Sequence, residues 1–338
     1  MRAVLPGAAE EDARGNEVAN VSAPHPQVVA LLERARLSPL PTMDQVPAFV
    51  ARRMYRERCI AVSPPAPRTG PITLLLAPSA AGPVAIRAYR PAGAGQDEVL
   101  PALVYFHGGG WTIGDPDTHD VLCRQLANGA RCAVFSVDYR LAPEAPFPAA
   151  VDDCFAATRY VFANEKVLKI NARQLALGGD SAGGNLATVV ALMARDAGAA
   201  RPCCQLLIYP ATDQRFGTAS YLRNGEGFLL TGKLMEKFRD YYLPRPADYL
   251  DWRASPALAK SLAGLPPAYV MTCGFDPLLD EGRAYAERLK KEGVDTRYRE
   301  YPDMVHGYIL FGGAVDTANA AVEECAAVLR SAFAKVSA

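Results

Sequence analysis

The chain has 338 residues, half of them apolar, and its 36 lysines and arginines are matched by 36 aspartates and glutamates. That is enough apolar material for a large buried core. A formal charge of zero supplies no global field for a polyanion, which argues against a nucleic acid partner or stable anchoring on an anionic membrane.

Residues 1–20 are Ala/Gly-rich and acidic, carry no apolar run of signal-peptide length, and read as a tail. No stretch reaches the ~18 consecutive apolar residues expected of a spanning helix. The eight cysteines (Cys59, Cys123, Cys132, Cys154, Cys203, Cys204, Cys273 and Cys325) lack C-x-x-C spacing and sit mostly in apolar runs, as buried thiols do. A reducing, cytoplasmic setting is the expectation.

Residues 26–37 place Val28, Val29, Leu31 and Leu32 at helical spacing before Pro39 and Pro41 stop the pattern. A second helix is predicted over 43–58. From Ile72 the pattern changes to strands: 72–76 and 84–89, joined through the Pro78–Pro83 turn segment, predict an antiparallel pair. Short apolar runs without alternation follow at 103–106, 133–137, 174–177, 205–209 and 268–272, each succeeded by a helical stretch. Continuous apolar strands alternating with helices predict a parallel sheet buried on both faces. A last strand is predicted at 296–301 and a closing helix at 314–334. Residues 212–252 break the alternation; they carry Phe228, Leu229, Leu230, Leu234, Met235, Phe238, Tyr241 and Tyr242 but no clear strand. The resulting division is a tail with two helices (1–55), a core (56–211), an insertion (212–252) and the remainder of the core (253–338).

Gly179-Asp180-Ser181-Ala182-Gly183 is a G-x-S-x-G between the 174–177 strand and a helix predicted over 186–197. That context suits a nucleophilic serine on a strained strand-to-helix turn, which only small neighbours allow, as in the α/β-hydrolase fold. A phosphate loop would need Lys-Ser/Thr where Gly184-Asn185 stands. His107-Gly108-Gly109-Gly110-Trp111 follows the 103–106 strand, and consecutive glycines let backbone N–H groups converge on one point. Gly108, Gly109 and Ala182 are the expected oxyanion donors.

Four histidines are present, His25, His107, His119 and His306. His107 belongs to the oxyanion loop, and His25 and His119 precede the serine. The order Ser, then acid, then His leaves His306 as the base. Asp276, at the end of the 268–275 strand and before Pro277, is the expected acid; Asp280 and Asp303 are its rivals. Too few histidines are available for a metal site, and H-E-x-x-H is absent, so no metal and no cofactor is expected.

Taken together, His107-Gly-Gly-Gly-Trp111, Asp138-Tyr-Arg-Leu-Ala-Pro-Glu144, Phe147-Pro-Ala-Ala-Val-Asp-Asp153, Gly179-Asp-Ser-Ala-Gly-Gly184, Asp276-Pro-Leu-Leu-Asp-Glu-Gly282 and His306-Gly307 resemble the hormone-sensitive-lipase-like carboxylesterases, the bacterial family IV branch. The resemblance runs from about Ile72 to the C-terminus and leaves out the first 20 residues. It implies a mostly parallel eight-stranded sheet flanked by helices. It implies a helical cap made from the N-terminal helices and residues 212–252, with hydrolysis of small-molecule esters of short acyl chains. Asp138 and Arg140 resemble a structural ion network behind the oxyanion loop. Leu279 stands where the family often has arginine. Trp111, Tyr209, Phe228 and Leu229 are the expected substrate contacts, and a homodimer is compatible with all of this. A ligand-binding protein on the same fold and an amidase using the same triad are the rival readings.

Overall fold

The structure, a computed structural model, describes residues 23–198 and 201–337. The chain enters through helix α1 (Pro26–Arg36), a single 3-10 turn at Met43–Gln45, and helix α2 (Ala48–Val62). The second helix starts later than its apolar pattern suggests because Pro47 occupies its N-cap. Strands β1 (Ile72–Ala77), β2 (Val84–Tyr89) and β3 (Leu100–Phe106) follow. Then come α3 (Asp120–Ala130), β4 (Ala133–Asp138), α4 (Ala149–Ala163), the one-turn α5 (Glu165–Leu168), β5 (Ile170–Asp180) and α6 (Ala182–Asp196). The remaining elements are β6 (Cys204–Ile208), α7 (Ala219–Asn224), α8 (Gly232–Tyr242), β7 (Ala268–Phe275), α9 (Leu279–Lys291), β8 (Thr296–Val305) and α10 (Asp316–Ser337).

The eight strands form one sheet in the order β1-β2-β4-β3-β5-β6-β7-β8. β2 runs antiparallel to both its neighbours, and every other pairing is parallel. Alternation along β3 shows why the central runs are apolar throughout. Ala102, Val104 and Phe106 face a core shared with Val151 and Cys154 of α4 and Leu186 and Val190 of α6. Leu103 and Tyr105 face the opposite core, with Leu122 and Leu126 of α3 and Cys325 and Leu329 of α10. A strand covered on both faces has no solvent side to mark with polar residues.

Residues 212–252 form α7, α8 and a 3-10 turn at Pro246–Leu250, with no strand. They pack both ways. Tyr242 and Leu243 are buried in the body, while Leu234 and Phe238 meet Ala51 and Tyr55 of α2 in one cluster. Lys237 of α8 donates to the carbonyls of Asp44 and Val46 at 2.7 and 2.8 Å, tying the insertion to the N-terminal segment. No helix among the described residues is long and apolar enough to cross a membrane.

Candidate active site

Ser181 sits between β5 and α6 with φ 56° and ψ −118°, a strained conformation for a side chain with a Cβ. Its own N–H donates to the Ile208 carbonyl at 2.8 Å, and its carbonyl accepts from Asn185 at 3.0 Å, so both sides of the turn are held. The flanking glycines are sterically required. A Cβ on Gly183 would collide with the Phe106 carbonyl oxygen, because the start of α6 is pressed against the end of β3.

The sheet delivers the other two residues by register. Phe275 of β7 is paired with Val305 of β8, so the residues that follow them, Asp276 and His306, leave the sheet side by side. Asp276 is fully buried; its Oδ1 accepts the Leu278 N–H at 2.8 Å, and its Oδ2 lies 2.7 Å from His306 Nδ1. His306 Nε2 lies 2.9 Å from Ser181 Oγ. The ring of Tyr209 rests against His306 with centroids 4.6 Å apart. Asp280 is occupied elsewhere: its carboxylate accepts the Ser220 N–H at 2.7 Å at the start of α7. Asp303 contributes its carbonyl to the N–H of His25.

The glycine loop is organised differently from the expectation. Gly108 N–H is engaged within the protein, donating to Asp180 Oδ1 at 2.9 Å, so Gly108 is corrected from an oxyanion donor to a structural anchor. The N–H groups of Gly109 and Gly110 donate to no group among the described residues. The N–H of Ala182, in the first turn of α6, has no intrahelical acceptor. Gly109 adopts φ +125°, and a Cβ there would strike the Ile113 carbonyl.

Beneath the loop lies a buried polar network that sequence reasoning passed over. Asp180, the second residue of the G-x-S-x-G, also accepts the Tyr105 hydroxyl at 2.8 Å and faces His119 Nε2 at 3.1 Å. Burial pushes its carboxyl up, but the neighbouring His119 and the bonds from His119 and Tyr105 outweigh that and hold it below the ordinary range. His107 stacks on Tyr139 at 4.2 Å and its Nδ1 lies 2.9 Å from the Gly108 carbonyl. Burial, with His119 close by, pushes the His107 imidazole down to about 4, so it is neutral and braces the loop. The available signal was that His107 opens the glycine motif, Asp180 immediately precedes the serine, and His119 follows shortly after the glycine motif.

The ion network behind the loop also differs. Arg140 grips Asp153 with two bonds at 2.8 and 2.7 Å, and Asp138 takes no part in that pair. Arg52 of α2 donates to the carbonyls of Thr112 and Ala142, each at 2.8 Å, and to Glu144.

Ser181 and His306 open into a pocket lined by residues of α2, the glycine loop, α8 and the start of α9. Trp111 and Leu229 line it. Tyr209 and Phe228 do not: Tyr209 is buried under the His306 ring, and Phe228 packs on Phe275 with centroids 5.2 Å apart. Glu281 also reaches the pocket. Its Oε1 accepts the N–H groups of Thr212 and Asp213 at 2.6 and 3.2 Å, yet burial pushes the carboxyl up to about 8.

A parallel sheet of this order, with a serine on the sharp turn after β5 and an acid and a histidine after β7 and β8, defines an α/β-hydrolase fold. The family model described as the alpha/beta hydrolase fold matches residues 103–310. The chain is 42% identical over 301 residues to the carboxylic ester hydrolase LipN of Mycobacterium tuberculosis, covering 85% of this chain and 77% of that one. It is 37% identical over 282 residues to the ethyl acetate hydrolase of Pseudomonas putida, covering 82% and 88%. Among solved structures, an ester-hydrolase from the metagenome of Lake Arreo aligns with TM-score 0.88 at 42% identity, over 92% of this chain and 99% of the other. The Pyrobaculum calidifontis esterase aligns with TM-score 0.86 at 37% identity, over 91% and 98%. The chain therefore belongs to the α/β-hydrolase family, as a hormone-sensitive-lipase-like carboxylesterase, and is an ester hydrolase.

Proposed function

We propose that the protein hydrolyses short- to medium-chain carboxylic esters through an acyl-enzyme on Ser181. The observation that carries this reading is the unbroken line from Ser181 Oγ through His306 to the buried Asp276 carboxylate, at 2.9 and 2.7 Å. Asp276 holds the proton on Nδ1, which leaves the Nε2 lone pair facing the serine hydroxyl. His306 takes that proton as Oγ attacks the ester carbonyl, and Asp276 stabilises the imidazolium without being protonated. The N–H groups of Gly109, Gly110 and Ala182 receive the developing oxyanion, helped by the positive end of α6. Collapse of the tetrahedral intermediate breaks the C–O bond, and His306 gives its proton to the departing alcohol. Water, deprotonated by the same histidine, then attacks the acyl-enzyme and frees Ser181.

In this reading α1, α2 and residues 212–252 act as a cap over the carboxyl ends of the strands. They enclose the ester between Trp111, Leu229, Leu234, Met235 and Phe238. An enclosed apolar pocket sets a length limit, so turnover should peak at medium acyl chains and fall for long ones. The test is a series of para-nitrophenyl esters with the matched butyranilide, together with a serine-directed phosphonate. The expected result is ester hydrolysis with one label on the peptide carrying Ser181. Labelling elsewhere, or faster cleavage of the anilide than of the ester, would overturn the assignment.

A further inference from the structure

We propose that Arg58 is a specificity residue that binds a carboxylate carried by the alcohol part of the ester; the inference rests on the ester-hydrolysis reading above. Arg58 lies on α2, one turn past Tyr55, and lines the same pocket as Ser181 and His306. Its Nε is shut off from solvent and has no hydrogen-bond partner. Among the described residues no carboxylate pairs with its guanidinium, which lies over the Tyr55 ring at 5.2 Å from its centroid. The other arginines of α2 are treated differently. Arg52 pairs with Glu144, Arg53 with Glu57 and Arg56 with Asp115.

The carboxylates of the pocket offer no help. Asp180 is taken by Tyr105, Gly108 and His119, and Asp213 is gripped by Arg215. Glu281 is turned to the N–H groups of Thr212 and Asp213 and, with its carboxyl pushed up to about 8, is largely uncharged at neutral pH. A half-buried guanidinium with an unmatched donor is costly to keep unless something brings it an anion. Its planar fork fits a carboxylate with two parallel bonds.

The side of the pocket follows from packing. Tyr55 shares a core with Tyr209, Met304, Val305 and Tyr308, the residues around His306. Trp111, Ala211, Met235 and Leu278, which also line the pocket, belong to the other core. His306 hands its proton to the departing alcohol, so the alcohol lies on the His306 side, the side of the core that Tyr55, one turn before Arg58, joins.

The experiment compares acetate release from meta-(acetoxymethyl)benzoate and from its neutral carboxamide, meta-(acetoxymethyl)benzamide. The full-length chain is used as wild type, Arg58→Met and Arg58→Lys. The ratio of the two kcat/KM values is read within each protein, so differences in folded fraction cancel. Wild type should favour the carboxylate, and the ratio should fall about 10- to 100-fold in Arg58→Met, the range of a charge-assisted hydrogen bond, with Arg58→Lys intermediate. A matched acyl-side pair, para-nitrophenyl hydrogen adipate and para-nitrophenyl adipamate, should move far less. An unchanged ratio in Arg58→Met, or a larger change on the acyl-side pair, overturns the inference alone. Absence of turnover on both acetates, with Ser181 unlabelled by phosphonate, overturns the hydrolase reading and this inference with it.

Discussion

Replacing Asp276 by asparagine tests the proposed triad with little change of shape, and the structure dictates which way the new amide must turn. Asp276 Oδ1 accepts the Leu278 N–H at 2.8 Å, and a buried N–H left without an acceptor costs about 1–3 kcal/mol. The asparagine carbonyl therefore stays on Leu278, which puts its NH2 group in the place of Oδ2, 2.7 Å from His306 Nδ1. Two donors cannot face each other, so Nδ1 gives up its proton and Nε2 carries one instead, aimed at Ser181 Oγ. The base is then present in the wrong tautomer. Loss of the correct tautomer in a triad of this kind lowers kcat about 10⁴-fold, or ~5.4 kcal/mol of transition-state stabilisation. The assay is steady-state hydrolysis of para-nitrophenyl butyrate by the folded variant, with near-ultraviolet circular dichroism as the control for packing. Asp280→Asn and Asp303→Asn should lose far less, because the Asp280 carboxylate serves Ser220 and the carboxylate facing His306 belongs to Asp276. A variant at Asp276 that keeps rate within tenfold of wild type, or an Asp280→Asn loss exceeding it, would refute the reasoning.

Ser181→Ala should abolish turnover by several orders of magnitude while the thermal transition is retained, since members of such a set act as a unit; activity surviving in this variant removes the serine from the mechanism. Gly183→Ala should fail to fold or melt far below wild type, because the added methyl meets the Phe106 carbonyl; a normal melting curve would contradict the close packing of α6 on β3. Arg52→Met should lower kcat by loosening the glycine loop, with most of the loss traced to the Thr112 and Ala142 carbonyls, since its partner Glu144 is largely exposed; an Arg52→Met enzyme with wild-type kcat would show that the clamp is irrelevant to the site. Glu281 is protonated in the folded chain up to pH about 8 but only to about 4.5 when unfolded. Between those values the unfolded state has already released a proton that the folded state keeps, so this group makes stability fall as pH rises, by up to about 1.4 kcal/mol per pH unit. Urea unfolding across pH 5–8 should show a shallower decline in Glu281→Gln than in wild type, and parallel curves would rule this out.

The parts of the fold legible in the sequence were those written in local pattern. Strands 103–106 and 205–209 announced themselves because both faces are buried, which leaves an uninterrupted apolar run. Ser181 and His306 were legible because a glycine spacing and a chain order single them out, and the structure places them 2.9 Å apart. Gly108 was misread because donor direction depends on local backbone geometry, and three successive glycines look equivalent in sequence. Which of their N–H groups is taken up inside the protein depends on Asp180, 72 residues away. Tyr209 and Phe228 were misread for a related reason. An aromatic residue near a site can line it or support it, and only the packing of Tyr209 on His306 and of Phe228 on Phe275 decides. The start of α2 was placed too early because an apolar periodicity does not stop at Pro47, whereas a helix begins there.

The same long-range contacts make the roof of the pocket and the floor of the reaction one mechanical unit. Arg52 reaches from α2 to the carbonyl of Thr112, two residues beyond Gly110. The Phe238 ring of α8 lies where a side chain on Gly110 would be, and Tyr242 stacks flat on Trp111 with centroids 4.4 Å apart. Lys237, immediately before Phe238 in sequence, fastens α8 to the carbonyls of Asp44 and Val46 just ahead of α2. The loop whose N–H groups are proposed to hold the oxyanion is therefore pinned on one side by the segments proposed to enclose the substrate, and on the other by Asp180 and His107. A close-packed assembly has few soft modes, so a change in the cap is transmitted to donor positions that tolerate shifts of only a fraction of an ångström. This is why cap substitutions far from Ser181 should act on kcat as well as on KM. In the proposed reading, substrate selection and rate are coupled through this packing.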